Sequence, residues 1–162
     1  MGWLLMLLTL LMVGCDHATK AVAQNALGRR GAVSIVPGLL DLRYAENRDT
    51  AFSLTRILHF QGKGAMLVLL SLVGLAAVGI MWWRRRHASV PEQVAYALIT
   101  AGALGNAIDR ALRGYVIDFI ELHRWPIFNV ADVAIVAGGV LLAILTFRRA
   151  PLDPERAAGE PR

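Results

Sequence analysis

The stretch that most constrains this chain is "GAMLVLLSLVGLAAVGIMWW", Gly64 to Trp83, in which no residue is charged and a tryptophan pair closes the run. Crossing the hydrocarbon core of a bilayer takes roughly 20 helical residues. A run of this length and purity has no place on the surface of a soluble domain: as a helix it satisfies its own backbone, and side chains that are apolar all round belong in lipid. The chain as a whole agrees: 56% of its residues are hydrophobic and its mean hydropathy is +0.51. The formal charge of +5 does not point to nucleic acid, since the basic residues are not interleaved with aromatic stacking groups and several flank apolar runs instead.

Two more segments have spanning length: "EQVAYALITAGALGNAIDRAL", residues 92–112, and "NVADVAIVAGGVLLAILTF", residues 129–147. The N-terminal run is the fourth. From Trp3 to Cys15 it covers only about 20 Å at 1.5 Å per residue, so it spans only by continuing through Asp16, Thr19 and Lys20, a polar stretch without a helix breaker. The fold expected is therefore a membrane α-helical one. Four transmembrane helices, at about 3–23, 64–83, 92–112 and 129–147, form a single domain over residues 1–149.

Arginine sets the orientation. Arg84 to Arg86 follow the second helix, and Arg148 and Arg149 the fourth. In a four-helix chain these places share one side, which the positive-inside rule assigns to the cytoplasm together with both termini. Asp16 and Lys20 then lie toward the outer end of the first helix, and Asn106, Asp109 and Arg110 at the outer end of the third. Asp118 lies in the short outer connection, and Asn129 and Asp132 open the fourth helix. A charge at the bilayer centre costs roughly 2.5–3.5 kcal/mol on insertion scales, less near the interface. Polar groups that gather at one depth on three helices and a loop read as one site near the outer leaflet.

The first loop, about residues 24–63, is too long for a simple connection. "SIVPGLLDLRYAEN" is β-favouring with a turn signal at Pro37-Gly38, and "TAFSLTRILHFQ" has apolar residues at near-helical spacing. A small extracytoplasmic β-rich flap and an amphipathic surface helix are expected there. The tail, residues 150–162, is charged and Pro-rich and reads as disordered and cytoplasmic.

Among groups able to do chemistry, no serine has a motif that brings a base beside it, and no Cys/His cluster has metal-ligand spacing. The carboxylates are better placed. Two aspartates close together in a low-dielectric site share a proton, so that one activates water while the other protonates the leaving group, with no metal and no cofactor. Asp109, Asp118 and Asp132 are the candidates. Asp118, between Ile117 and Phe119, and Asp132, in "FNVADVAIV", have the more apolar neighbours. Asp109 suits a structural ion pair with a neighbouring cation.

"DHATK", "NRDTAFS", "GALGNAIDR", "VIDFI" and "WPIFNVADVAI" occur in the order and spacing of lipoprotein signal peptidase, signal peptidase II, and the chain resembles that family from about Asp16 to Ile135. The resemblance implies a four-helix aspartyl endopeptidase of the bacterial inner membrane, which cuts the signal peptide from a prolipoprotein before its diacylglyceryl-cysteine. It carries the catalytic pair onto Asp118 and Asp132. It makes Asp16, Lys20, Asn47, Asn106, Asp109, Arg110 and Asn129 substrate-binding or site-shaping residues. Phe52 reads as apolar lining. Prolipoproteins, membrane lipids and globomycin-type inhibitors are the implied partners, with no nucleic acid, and the chain is taken as a monomer.

Two positions depart from the family pattern: Asp49 and Ala101 stand where glycine is usual. Met12-Val13-Gly14-Cys15 looks like the lipobox of a lipoprotein precursor, but Met1-Gly2 offers no basic n-region. Cleavage there would also remove the first helix, so Cys15 reads as an ordinary helix residue. Two rival readings stand beside the peptidase: a small transporter or proton-conducting bundle using the same carboxylates, and an inactive paralogue that binds lipoproteins.

Overall fold

The computed structural model describes residues 2–28, 31–49, 62–123 and 125–149. In chain order its elements are α1 (Gly2–Leu27), β1 (Val33–Val36), β2 (Leu40–Asn47), α2 (Lys63–Arg84), α3 (Val90–Arg113), β3 (Val116–Leu122) and α4 (Val130–Arg149). Phe52 and the expected amphipathic surface helix lie outside the described residues, as does the C-terminal tail.

The first helix is longer than its apolar part. It continues past Asp16 and Lys20 to Leu27, because the polar residues there bond across the bundle and nothing breaks the backbone ladder before Gly28. Three helices are long and apolar enough to cross a membrane: Gly2–Leu27, Lys63–Arg84 and Val130–Arg148. This reverses the expected ranking, in which residues 92–112 were a clear span and the N-terminal run the doubtful one. The reason is position. The third helix packs against the other three, so much of its surface meets protein instead of lipid. It can therefore carry buried Glu92, Gln93, Asn106 and Asp109. By contrast α2 buries only Leu67 and presents most of its length outward.

Small residues let α3 approach so closely. A Cβ on Gly102 would lie 2.2 Å from the Ala131 carbonyl oxygen, and one on Gly105 would lie 2.7 Å from Asp16 Oδ2. Ala101, the methyl-larger departure from the family pattern, is buried in this same helix. Pro91 opens α3 where its missing N–H costs nothing. Gly114 ends it in the left-handed region at φ 78°, its N–H returning to the Arg110 carbonyl at 3.0 Å.

At the end of the bundle away from the arginines lies a three-stranded antiparallel sheet in the order β1-β2-β3. Pro37 and Gly38 (φ 75°) make the hairpin turn between β1 and β2, with the Leu39 N–H donating to the Val36 carbonyl at 2.9 Å; this is type II turn chemistry. The β-rich flap is thus present. Its third strand was read from the sequence only as a connection. Val116, Ile117, Asp118 and Phe119 are all buried, so β3 lacks the in-out alternation that marks a half-exposed strand. Phe119 packs with Ala23 and Leu27 of α1, which seats the sheet on the end of the bundle. The free edge of β3 pairs with Phe128, and the chain passes directly from there into Asn129 and α4.

Candidate active site

Strand pairing puts Ala45 opposite Asp118 and Asn47 opposite Val116. The Asn47 side chain thereby reaches across to donate from Nδ2 to Asp118 Oδ2 at 2.9 Å. The other Asp118 oxygen accepts from Asn129 Nδ2 at 2.7 Å. Asn129 also opens α4 by a reciprocal cap: its Oδ1 accepts from the Asp132 N–H at 3.0 Å, and Asp132 Oδ2 accepts from the Asn129 N–H at 3.1 Å. Asp132 Oδ1 accepts from Asn106 Nδ2 at 2.8 Å. The carboxylates of Asp118 and Asp132 are therefore joined through one asparagine, with every oxygen of both held by a donor.

Behind this layer is a buried ionic one. Lys20 is fully buried, and its Nζ is 2.7 Å from Asp16 Oδ2, 2.8 Å from Asp109 Oδ2 and 3.0 Å from Asn106 Oδ1. Arg113 pairs with the second oxygen of Asp109, so the formal charges of Asp16, Lys20, Asp109 and Arg113 cancel. Asp16 Oδ1 accepts the Ala131 N–H at 2.9 Å, tying α1 to the first turn of α4 one residue before Asp132. The expected Asp16–Lys20 pair at i,i+4 exists and reaches further, to a third helix. Asp109 is held in ion pairs, though not by its sequence neighbour Arg110. Its cations are Lys20 and Arg113, and Arg110 points elsewhere, donating to Ser71 Oγ at 3.3 Å and to the Asp49 carbonyl at 3.2 Å.

Asp118 and Asp132 open onto a cavity of about 460 Å³, shared with Asn47, Asn106 and Arg110. Apart from Ser71, its remaining wall is mostly apolar: Leu67, Leu75 and Val78 of α2, Ile135 and Val136 of α4, and Trp125 and Phe128 of the preceding loop. Between them, α2 and α4 flank α3 and leave this groove along the bundle. Asp16, Lys20, Asp109 and Asn129 do not line it. Ser71, Trp125 and Phe128 were missed by sequence reasoning; only the proximity of "WPIF" to Asn129 hinted at the last two. Burial drives the Asp118 carboxyl upward to about 6, and the Asp132 charge adds to that. The Asn47 and Asn129 hydrogen bonds and the Lys20 charge pull the other way.

The family model described as signal peptidase (SPase) II matches residues 8–148. The chain belongs to the signal peptidase II family. It is 43% identical over 136 residues to a lipoprotein signal peptidase of Syntrophomonas wolfei, covering 84% of this chain and 87% of that one. It is 40% identical over 138 residues to a lipoprotein signal peptidase of Thermodesulfovibrio yellowstonii, covering 83% and 88%. A solved bacterial membrane enzyme superposes with a TM-score of 0.79 at 26% identity, covering 98% of this chain and 94% of that one. The family and the apolar helices together make this an integral membrane protein and a signal peptidase by kinship, with the four-helix architecture expected.

Proposed function

We propose that this chain is an aspartyl endopeptidase that removes signal peptides from prolipoproteins, cutting before the diacylglyceryl-modified cysteine, with Asp118 and Asp132 as its catalytic pair. The observation that carries the reading is that these two carboxylates, unlike those of Asp16 and Asp109, line a cavity most of whose wall is apolar. A lipid-modified peptide needs both environments within a few ångströms.

The pair carries one proton between two carboxylates. The ionised partner takes a proton from a water on the cavity side, and the water oxygen bonds to the carbonyl carbon before the cysteine. The protonated partner passes its proton to the departing amide nitrogen as the C–N bond breaks. No covalent enzyme intermediate forms. Asn129 fixes the relative placement of the two carboxylates, and Asn106 transmits the position of Lys20 to Asp132. Arg110 supplies a cation at the cavity wall for the carbonyl groups of peptide or lipid. The apolar groove between α2 and α4 takes the signal-peptide helix and acyl chains sideways from the bilayer.

The arginine-bearing end lies in the cytoplasm with both termini, so the carboxylate pair lies near the outer leaflet. The test is a mobility-shift cleavage assay on a diacylglyceryl-modified prolipoprotein in detergent. Asp118→Asn and Asp132→Asn keep the side-chain shape and cannot share a proton. Each is expected to lose at least about 10²–10⁴-fold in rate. Wild-type cleavage by both variants would sink the proposed pair, and a wild-type protein that binds the substrate without cutting it would favour the inactive-paralogue reading.

A further inference from the structure

The opposite end of the bundle holds a second cavity, of about 320 Å³, between the start of α1 and the end of α2. Gly2 and Leu5 form one side, Gly79 and the indoles of Trp82 and Trp83 the other, with Arg86 at the rim and Gln93 behind. The walls are held in place. Trp82 Nε1 donates to Gln93 Oε1 at 2.6 Å, and Gln93 in turn donates to the Arg85 carbonyl. Arg85 is committed to Glu92 at 2.7 Å. Arg86 is different: its guanidinium lies 5.0 Å from the centroid of the Trp83 ring and, among the described residues, bonds the Trp83 carbonyl alone, at 3.3 Å. Among the described residues no carboxylate pairs with Arg84 or Arg86.

Gly79 is informative because the protein does not need it to be small. A Cβ there would meet nothing within 4 Å, unlike Gly102 and Gly105, which are packed against α4 and α1. Its lack of a side chain leaves a slot open to the bilayer. Stacking on Trp83 holds the guanidinium beside that slot, with donors that no other described residue takes and that suit a bidentate oxyanion. Indoles mark the level where acyl chains give way to headgroups.

The geometry points to a binding site for one anionic phospholipid at the arginine end of α1 and α2, with its phosphate on Arg86 and an acyl chain in the slot over Gly79. The site lies at the far end of the bundle from the carboxylates and does not depend on the proposed peptidase activity. Charge complementarity selects the occupant: a guanidinium that no described carboxylate neutralises favours a lipid with net negative charge over a zwitterionic one by about fivefold per basic residue.

The test is a titration of the full chain in detergent with phosphatidylglycerol and with phosphatidylcholine of the same acyl chains, read by thermal shift. Phosphatidylglycerol is expected to bind about fivefold more tightly. Arg86→Gln should abolish that preference, and Gly79→Leu, whose Cβ would meet nothing within 4 Å, should weaken both lipids. Equal affinity of the two lipids for the wild-type chain would overturn the proposal, as would a preference that survives Arg86→Gln. Equal protection by glycerol phosphate without acyl chains would mark an anion site only and overturn it too.

Discussion

At one end of this bundle Asp16, Lys20 and Asp109 are buried to 1% exposure or less and tied to one another across α1 and α3. At the other end Arg84, Arg85 and Arg86 form a run of cations on the surface, of which, among the described residues, Arg85 alone holds a carboxylate. Both ends cost little for the membrane to accommodate, for opposite reasons. The arginines reach the interface, where the leaflet welcomes positive charge. The buried set is neutral in sum and pre-wired, so its cost is met by short ion pairs and falls due only when one partner is removed. Charge at the first end acts through geometry; at the second it acts through its sign.

That contrast is broken most forcefully at Lys20. Removing one member of a buried ionic set leaves an uncompensated charge and costs about 3–5 kcal/mol. Lys20→Met is expected to lower the thermal unfolding temperature of the detergent-solubilised protein sharply. The combined change Asp16→Asn, Lys20→Met, Asp109→Asn should recover much of the loss, since the buried groups are then neutral and Arg113, which loses its partner, is partly exposed and can turn to water. A single Lys20→Met change with no effect would mean that water reaches the set and that its burial is only apparent.

A finer cut separates the two duties of Asn129. Serine also caps helices well, so Asn129→Ser is expected to change stability by less than about 1 kcal/mol. Serine cannot reach Asp118 as the amide does, so the tie between the two carboxylates is lost. A misplacement on the order of 1 Å at reacting groups can cost about 100-fold, and the cleavage rate is expected to fall by about tenfold to a hundredfold while unfolding stays nearly unchanged. Loss of rate and stability together would assign Asn129 to the cap alone.

These duties were legible in the sequence only in part. Four helices and the hairpin followed from apolar length, the Pro37-Gly38 signal and the arginine runs. The proposed carboxylate pair came from motif spacing, whereas the residues alone left Asp109 in contention. What turns Asp109 away from the cavity is a contact with Lys20, on another helix and far away in sequence, and no local pattern encodes it. Arg110 taught the same lesson at short range. Adjacent helical residues point about 100° apart, so Asp109 turns to α1 while Arg110 turns to the cavity beside α2. Strand β3 was hidden because both its faces are covered and its alternation is erased. The low hydropathy of α3 had a like cause, since a helix packed among three others answers to protein more than to lipid.

A still smaller effect concerns proton uptake by Asp118. With its carboxyl raised to about 6, the pair holds its proton more firmly than an exposed aspartate would, and the alkaline limb of kcat/KM reports its loss in the free enzyme. The Asn47 hydrogen bond favours the ionised form and lowers that value. Asn47→Ala removes this stabilisation, so the carboxyl should keep its proton to higher pH and the alkaline limb should move upward. A limb that moves downward would show that Asn47 acts chiefly by excluding water.

The smallest effect belongs to the arginine end and closes the comparison. Arg84 is exposed and has no carboxylate partner among the described residues, so Arg84→Ala removes a charge without stranding another. Stability should change by no more than about 0.5 kcal/mol, as for surface substitutions generally, and prolipoprotein cleavage should be unaltered. Compared with Lys20→Met under identical conditions, the same loss of one positive charge should differ several-fold in its cost. If Arg84→Ala instead destabilised the protein as much as Lys20→Met, sign and depth would not be what separates the two ends, and the arginine run would have to be tied into the bundle as tightly as Lys20 is.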